Sequence, residues 1–166
     1  MYAGGYVVVT GSGSGGGYPT SSGAYQTTFS GGSGTFKTDM TISKFNASGT
    51  NIIYSTYIGG NGNEIPHSLV VNDNNQLYVL GTTSSSNFPT SSGAFDGTFN
   101  GGSTINGGTT GNTNSSQIQY AKGSDIIVSK FNASGTALLA STYIGGSGND
   151  GINLSDTLQK AYADEF

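Results

Sequence analysis

An all-β chain of about two four-stranded antiparallel units is the fold this sequence predicts, on three observations. The first is composition: Gly, Ser, Thr and Asn make up 88 of the 166 residues, yet ten Tyr and eight Phe are spread among Val, Ile and Thr. Disordered chains combine low hydrophobicity with high net charge, and the formal charge here is only −4. β-branched and aromatic residues punctuated by Gly and Asn are the make-up of short strands joined by many turns. The second observation is an internal repeat, the sign of a fold built from similar units side by side. The third is the order of short apolar runs within each repeat, which reads as successive antiparallel strands.

Two offsets define the repeat. Residues 5–32 match 75–102 at an offset of 70, with 13 identities in 28 positions, among them Pro19-Thr20-Ser21-Ser22-Gly23-Ala24. Residues 38–64 match 124–150 at an offset of 86, with 17 identities in 27 positions. The change of offset marks an insertion: residues 33–37 separate the blocks in the first copy and 103–123 in the second, 16 residues more. The inserted stretch is mostly Gly, Thr, Asn and Ser, and is expected to be a long exposed loop.

Taken in order, the first repeat (1–64) is expected to hold strands near 6–10, 40–45 and 52–58, and the second (65–150) near 68–71, 77–80, 126–131 and 138–144. The Asn-Ala-Ser-Gly stretches at 46–49 and 132–135 are turns, with Gly free to take the positive φ a hairpin loop demands. Asn72-Asp73-Asn74-Asn75 turns the chain between 68–71 and 77–80. Residues 151–166 are a tail or a partial strand, with residues 151–154 able to supply the strand that the first repeat lacks.

Four-stranded antiparallel units repeated along a chain are the blades of a β-propeller. Two blades cannot close a ring, so the chain is expected to be either an excerpt of a longer propeller or a partial propeller that assembles. Leu77-Tyr78-Val79-Leu80-Gly81-Thr82-Thr83, Phe88-Pro89-Thr90, Gly93-Ala94-Phe95, Ser129-Lys130-Phe131-Asn132-Ala133-Ser134-Gly135-Thr136 and Ser141-Thr142-Tyr143-Ile144-Gly145-Gly146 follow in fixed order. In these residues the chain resembles the bacterial SBBP family, over roughly positions 6–150. That resemblance implies a propeller repeat, seven-bladed in that family, found in large secreted or cell-surface proteins. It brings no catalytic residues.

Composition excludes further classes. Five Lys and no Arg cannot form the cationic surface that displaces counterions from phosphate, so nucleic acid is not an expected partner. No apolar run reaches the ~20 residues of a membrane-spanning helix, and the absence of Cys removes disulfides and thiolate metal sites. Low charge with abundant Ser, Thr, Asn and Gly suits an extracellular or bacterial cell-surface location.

No catalytic set stands out, and the expectation is a chain that is not an enzyme. His67 is the one histidine, so a Ser-His-Asp triad would have to use it, and no Gly-x-Ser-x-Gly elbow presents a nucleophile. Asp39 and Asp125 are repeat-equivalent, as are Glu64 and Asp150; equivalent acids sit on different blades, which argues for structural roles rather than the paired carboxylates of a glycosidase. Gly59-Gly60-Asn61-Gly62-Asn63-Glu64 and its counterpart at 145–150 leave weak calcium binding open, though each has one carboxylate where a hard cation wants several oxygens. Residues 11–17, Gly-rich and without a Gly-Lys-Ser/Thr ending, are a flexible loop rather than a phosphate cradle. Phe29, Phe45, Tyr57, Phe99, Phe131 and Tyr143 belong to the repeat motifs and are expected in the core. Tyr18, Phe88 and Tyr120 lie outside the strands and are the candidates for ligand contact.

The expected function is structural display or adhesion, with loops 12–37 and 82–123 as a weak, multivalent contact surface. Partners would be other domains of a longer surface protein, copies of the chain itself, or glycans. Self-assembly into a ring or filament is the alternative, since open sheet edges favour pairing.

Overall fold

A computed structural model describes residues 1–10, 17–32, 34–109 and 117–151. They form three antiparallel sheets and no helix. Strands β1 (Tyr2–Thr10), β2 (Phe36–Phe45) and β3 (Ile52–Ile58) make the first sheet. Strands β4 (Glu64–Val71), β5 (Leu77–Thr83), β8 (Asp125–Phe131) and β9 (Leu138–Ile144) make the second, while β6 (Ile105–Thr109) and β7 (Gln117–Tyr120) form a small hairpin. The all-β, blade-like architecture is the expected one.

Alternation along the strands sets the core. In β8, Asp125, Ile127, Ser129 and Phe131 point inward and are buried, while Ile126, Val128 and Lys130 face the other way and are half-exposed. Met40, Ile42, Tyr54 and Ile58 of the first sheet pack on Leu77, Val79, Ile127, Phe131 and Tyr143 of the second, forming one apolar seam between the blades. Each Asn-Ala-Ser-Gly turn is closed by its Asn side chain, whose Oδ1 accepts from the Thr four residues on, at 2.9 Å for Asn46–Thr50 and 3.0 Å for Asn132–Thr136.

Two expectations are corrected. The strand expected over 6–10 begins at Tyr2, and its register moves the repeat by six residues. Gly5 pairs with Thr41 as Gly81 pairs with Ile127, so Met1–Val7 stands where Leu77–Thr83 stands in the second blade. The cation–π contacts agree: the Lys44 ammonium lies 5.1 Å from the Tyr2 ring centre, and Lys130 lies 5.2 Å from Tyr78. The ungapped match at offset 70 fails here because the first repeat carries six more residues between this strand and Pro19.

The second correction concerns 103–123, expected as an exposed loop. Its described residues include β6 and β7, with Ile118 and Tyr120 buried and β7 lying against β2. Gln117-Ile118-Gln119-Tyr120 alternates polar and apolar, the pattern of a half-buried strand, and this outweighed the flanking turn composition. The expected loop at 11–17 falls almost wholly outside the described residues. So do the tail and partial strand of 151–166, of which only Gly151 is described.

Candidate functional site

The chemistry of this chain gathers at the joint between the blades. Asp39, on β2, reaches Glu64, the first residue of β4, and both are fully buried. The Ser30 N–H donates to Asp39 Oδ2 at 2.6 Å, with a second backbone donor from Gly31. Glu64 Oε1 accepts the hydroxyls of Thr83, at 2.7 Å, and Ser85. Its Oε2 accepts the Gly60 N–H at 3.3 Å.

Asp39 Oδ1 meets no donor among ordinary hydrogen-bonding groups, and it converges with Glu64 on one spot. A Cβ built on Gly59 would stand 2.6 Å from Asp39 Oδ1 and 2.7 Å from Glu64 Oε2, which is why glycine occupies this position. A single proton held between the carboxyls supplies the bond that Asp39 Oδ1 otherwise lacks. Burial drives both groups toward their neutral forms, to about 7 for Asp39 and about 8 for Glu64, and the Asp39 charge adds to the effect on Glu64. Hydrogen bonds to both carboxyls pull the other way without cancelling the desolvation. At neutral pH the pair therefore keeps one proton.

The same backbone contacts to a pair of acids recur at the far end of the second blade. Asp125 accepts the N–H groups of Asn100 at 2.8 Å and Gly101 at 3.0 Å. Asp150 accepts Gly146 N–H at 2.9 Å, as Glu64 accepts Gly60. Burial likewise raises the pKa of Asp125, with the Asp150 charge contributing. Beside each pair an Asn side chain closes the joint: Thr38 N–H donates to Asn63 Oδ1 at 2.8 Å and Ser124 N–H to Asn149 Oδ1 at 3.1 Å. The acids thus pair within a repeat, Asp39 with Glu64 and Asp125 with Asp150, rather than between equivalents. The spacing is 25 residues in both repeats, a signal that sequence reading had available and missed.

These acids anchor the outer segments. Residues 18–32 and 88–102 run along the edge strands β3 and β9. Ser21 N–H donates to Ser55 O at 2.9 Å and Tyr57 N–H to Gln26 O at 2.9 Å; their counterparts, Ser91 to Ser141 and Tyr143 to Asp96, are both 3.0 Å. Each segment covers an edge that would otherwise pair with another chain.

Two of the three candidates for ligand contact are placed otherwise than expected. Phe88 is 3% exposed and Tyr120 is 1% exposed, so both are packing residues. Phe88 lies beside Tyr143, whose hydroxyl accepts the Phe88 N–H at 2.9 Å and donates to Ser85 O at 2.7 Å. Tyr18 is half-buried, its ring 5.3 Å from the Tyr57 ring and tilted by 55°, with its hydroxyl 2.6 Å from Ser43 Oγ. Among the described residues the aromatic left in solvent is Phe95, 90% exposed. Of the expected core aromatics, Tyr57, Phe131 and Tyr143 are buried, and Phe29, Phe45 and Phe99 are half-buried.

His67 sits on the exposed side of β4, its Nε2 against the Thr82 hydroxyl, and partial burial lowers its pKa. The oxygens that suggested calcium are committed to the protein, Glu64 as above and Asn61 Oδ1 to the Ser86 N–H at 3.2 Å. No group of three His, Asp or Glu residues is arranged for a metal among the described residues. Nor is any helix there long and apolar enough to cross a membrane.

The family model for SBBP, described as a beta-propeller repeat, matches residues 53–89. This stretch runs from β3 through the joint, β4 and β5 to the start of the outer segment 88–102, so it spans the passage from one blade to the next. No curated protein and no solved structure matches the chain.

Proposed function

Taking residues 53–89 as an SBBP β-propeller repeat, we propose that the chain is a non-enzymatic display module of the extracellular space or the bacterial cell surface. One observation carries the reading: what recurs between the repeats is the hydrogen-bonded fastening of blade to outer segment. Asp39 with Ser30 and Asp125 with Asn100 are its two anchors. Asp39, Glu64 and Asp125 are buried under protein, so neither pair offers a substrate two accessible carboxylates. What differs between the repeats, the β6–β7 hairpin above all, is the part free to carry a specific contact.

Contact with a glycan or another surface component then relies on many weak exposures of Ser, Thr and Gly loops, and repetition supplies avidity. The test compares soluble chain with chain coated densely on beads, against a panel of bacterial and host polysaccharides. The expected result is retention of coated beads, no saturable binding by soluble chain below millimolar concentration, and no release of reducing sugar. Tight single-site binding by soluble chain, or turnover, would overturn the proposal.

A further inference from the structure

The outer face of the second blade is built like a face that is already occupied elsewhere in the molecule. Where the first blade meets the second, the Tyr25 ring stands 5.7 Å from Phe131 at 81°, and the Tyr25 N–H donates to Gly135 O at 3.1 Å. Lys44 Nζ donates to Ala133 O at 3.2 Å. Met40, Ile42, Tyr54 and Ile58 complete the seam. By the repeat, their counterparts on the second blade are Phe95, Lys130, Ile126, Val128, Ala140 and Ile144; among the described residues Gly151 lies against Ile126, and Phe95, Ala140 and Ile144 are exposed. Phe95 is 90% exposed and Ile144 43%, beside Val70 and Leu80 on the same side of the sheet. A contiguous apolar face of this kind marks an interaction surface.

The receiving half of that seam also recurs. Phe45, Ala47 and Gly49 of the first blade stand at the positions of Phe131, Ala133 and Gly135, and the two glycines share the same turn, with φ of +72° and +68°. One difference is complementary. Ala140 replaces the Tyr54 ring and leaves a hollow of about 230 Å³ lined by Tyr78, Phe95, Val128, Lys130 and Ala140. On the receiving side the exposed Met1 side chain lies beside Gly49, its methyl 3.6 Å from where a Cβ would be. Met1 is thus placed to fill what Ala140 vacates.

We infer that this face seats the first blade of a second copy of the chain, head to tail. The Phe95 ring packs on the copy's Phe45, the Phe95 N–H donates to its Gly49 carbonyl, and Lys130 donates to its Ala47 carbonyl. The contact is heterologous, joining two different surfaces of identical chains. It goes beyond the display reading and does not depend on it.

The experiment is light scattering behind size exclusion on the full chain over a hundredfold concentration range, with Phe95→Ser and Ala140→Arg. Both substituted residues are exposed, so thermal melts of the variants are expected to match the wild type. The expected result is a mass that rises above the 16.8 kDa of one chain with concentration, and a shift of at least tenfold to higher concentration in either variant. A single-chain mass throughout would overturn the inference. So would association that both variants leave unchanged, because the contact would then lie elsewhere.

Discussion

Raising the pH from 5 to 9 strips the proton shared by Asp39 and Glu64, and the loss of stability follows from the buried geometry. An acid whose folded pKa lies above its unfolded value holds its proton longer in the folded chain. Its contribution is present at low pH and disappears as the pH rises through the folded pKa. Glu64 moves from 4.5 to about 8, so keeping its proton contributes about 4 kcal/mol at pH 5 relative to pH 9, of which about 1 kcal/mol falls between pH 7 and 9, and Asp39, raised by the same burial, acts in the same direction. His67 acts with the opposite sign, since its lowered pKa removes stability only as pH falls through the range below 6.5. The window from 7 to 9 is therefore free of it. Asp125, raised by burial, acts in the same direction as Glu64. The assay is urea unfolding at pH 7, 8 and 9: with a slope of about 2 kcal/mol per molar, the midpoint is expected to fall by roughly half a molar. Glu64→Gln, which leaves an amide in place of the protonated acid, is expected to flatten most of that dependence. A wild-type midpoint that stays level or rises from pH 7 to 9 would refute the shared proton, as would a Glu64→Gln slope equal to the wild type's.

Two further expectations come from packing. Tyr120→Ala, which removes the ring beneath the blade joint, is expected to cost about 3–5 kcal/mol in chemical unfolding; a loss under 1 kcal/mol would restore the exposed-loop reading of the insertion. Tyr54→Phe removes a buried hydroxyl without a hydrogen-bond partner, so stability is expected to hold or to rise by about 1 kcal/mol; a marked loss would mean that the hydroxyl has a partner in solution.

The blades were legible because strand signals are local. Short runs such as Leu77-Tyr78-Val79-Leu80 and Ile126-Ile127-Val128, closed by Gly and Asn turns, already specify β5 and β8 and their neighbours. The repeat carried this further, since any feature seen twice had to fit both copies. Register was harder to read. The match at offset 70 placed the first strand six residues late, because Val7-Val8-Val9 is a stronger strand signal than Met1-Tyr2-Ala3-Gly4-Gly5, whose role is fixed by pairing with β2. The candidate site was least legible. Asp39 and Glu64 become a pair only when the chain crosses from one blade to the next, and composition cannot show that Phe88 and Tyr120 turn inward while Phe95 turns out.

The central claim is that the recurrent acids fasten segments 18–32 and 88–102 to the blades, and amide hydrogen exchange tests it most directly. Ser30, Asn100 and Gly101 lie outside every strand, and their N–H groups are held by Asp39 and Asp125. Their amides, read individually by NMR at pH 6, are expected to exchange at least about a hundredfold more slowly than an unstructured chain, comparably to neighbouring strand amides. Exchange at the unprotected rate at these positions, in both repeats, would contradict the account.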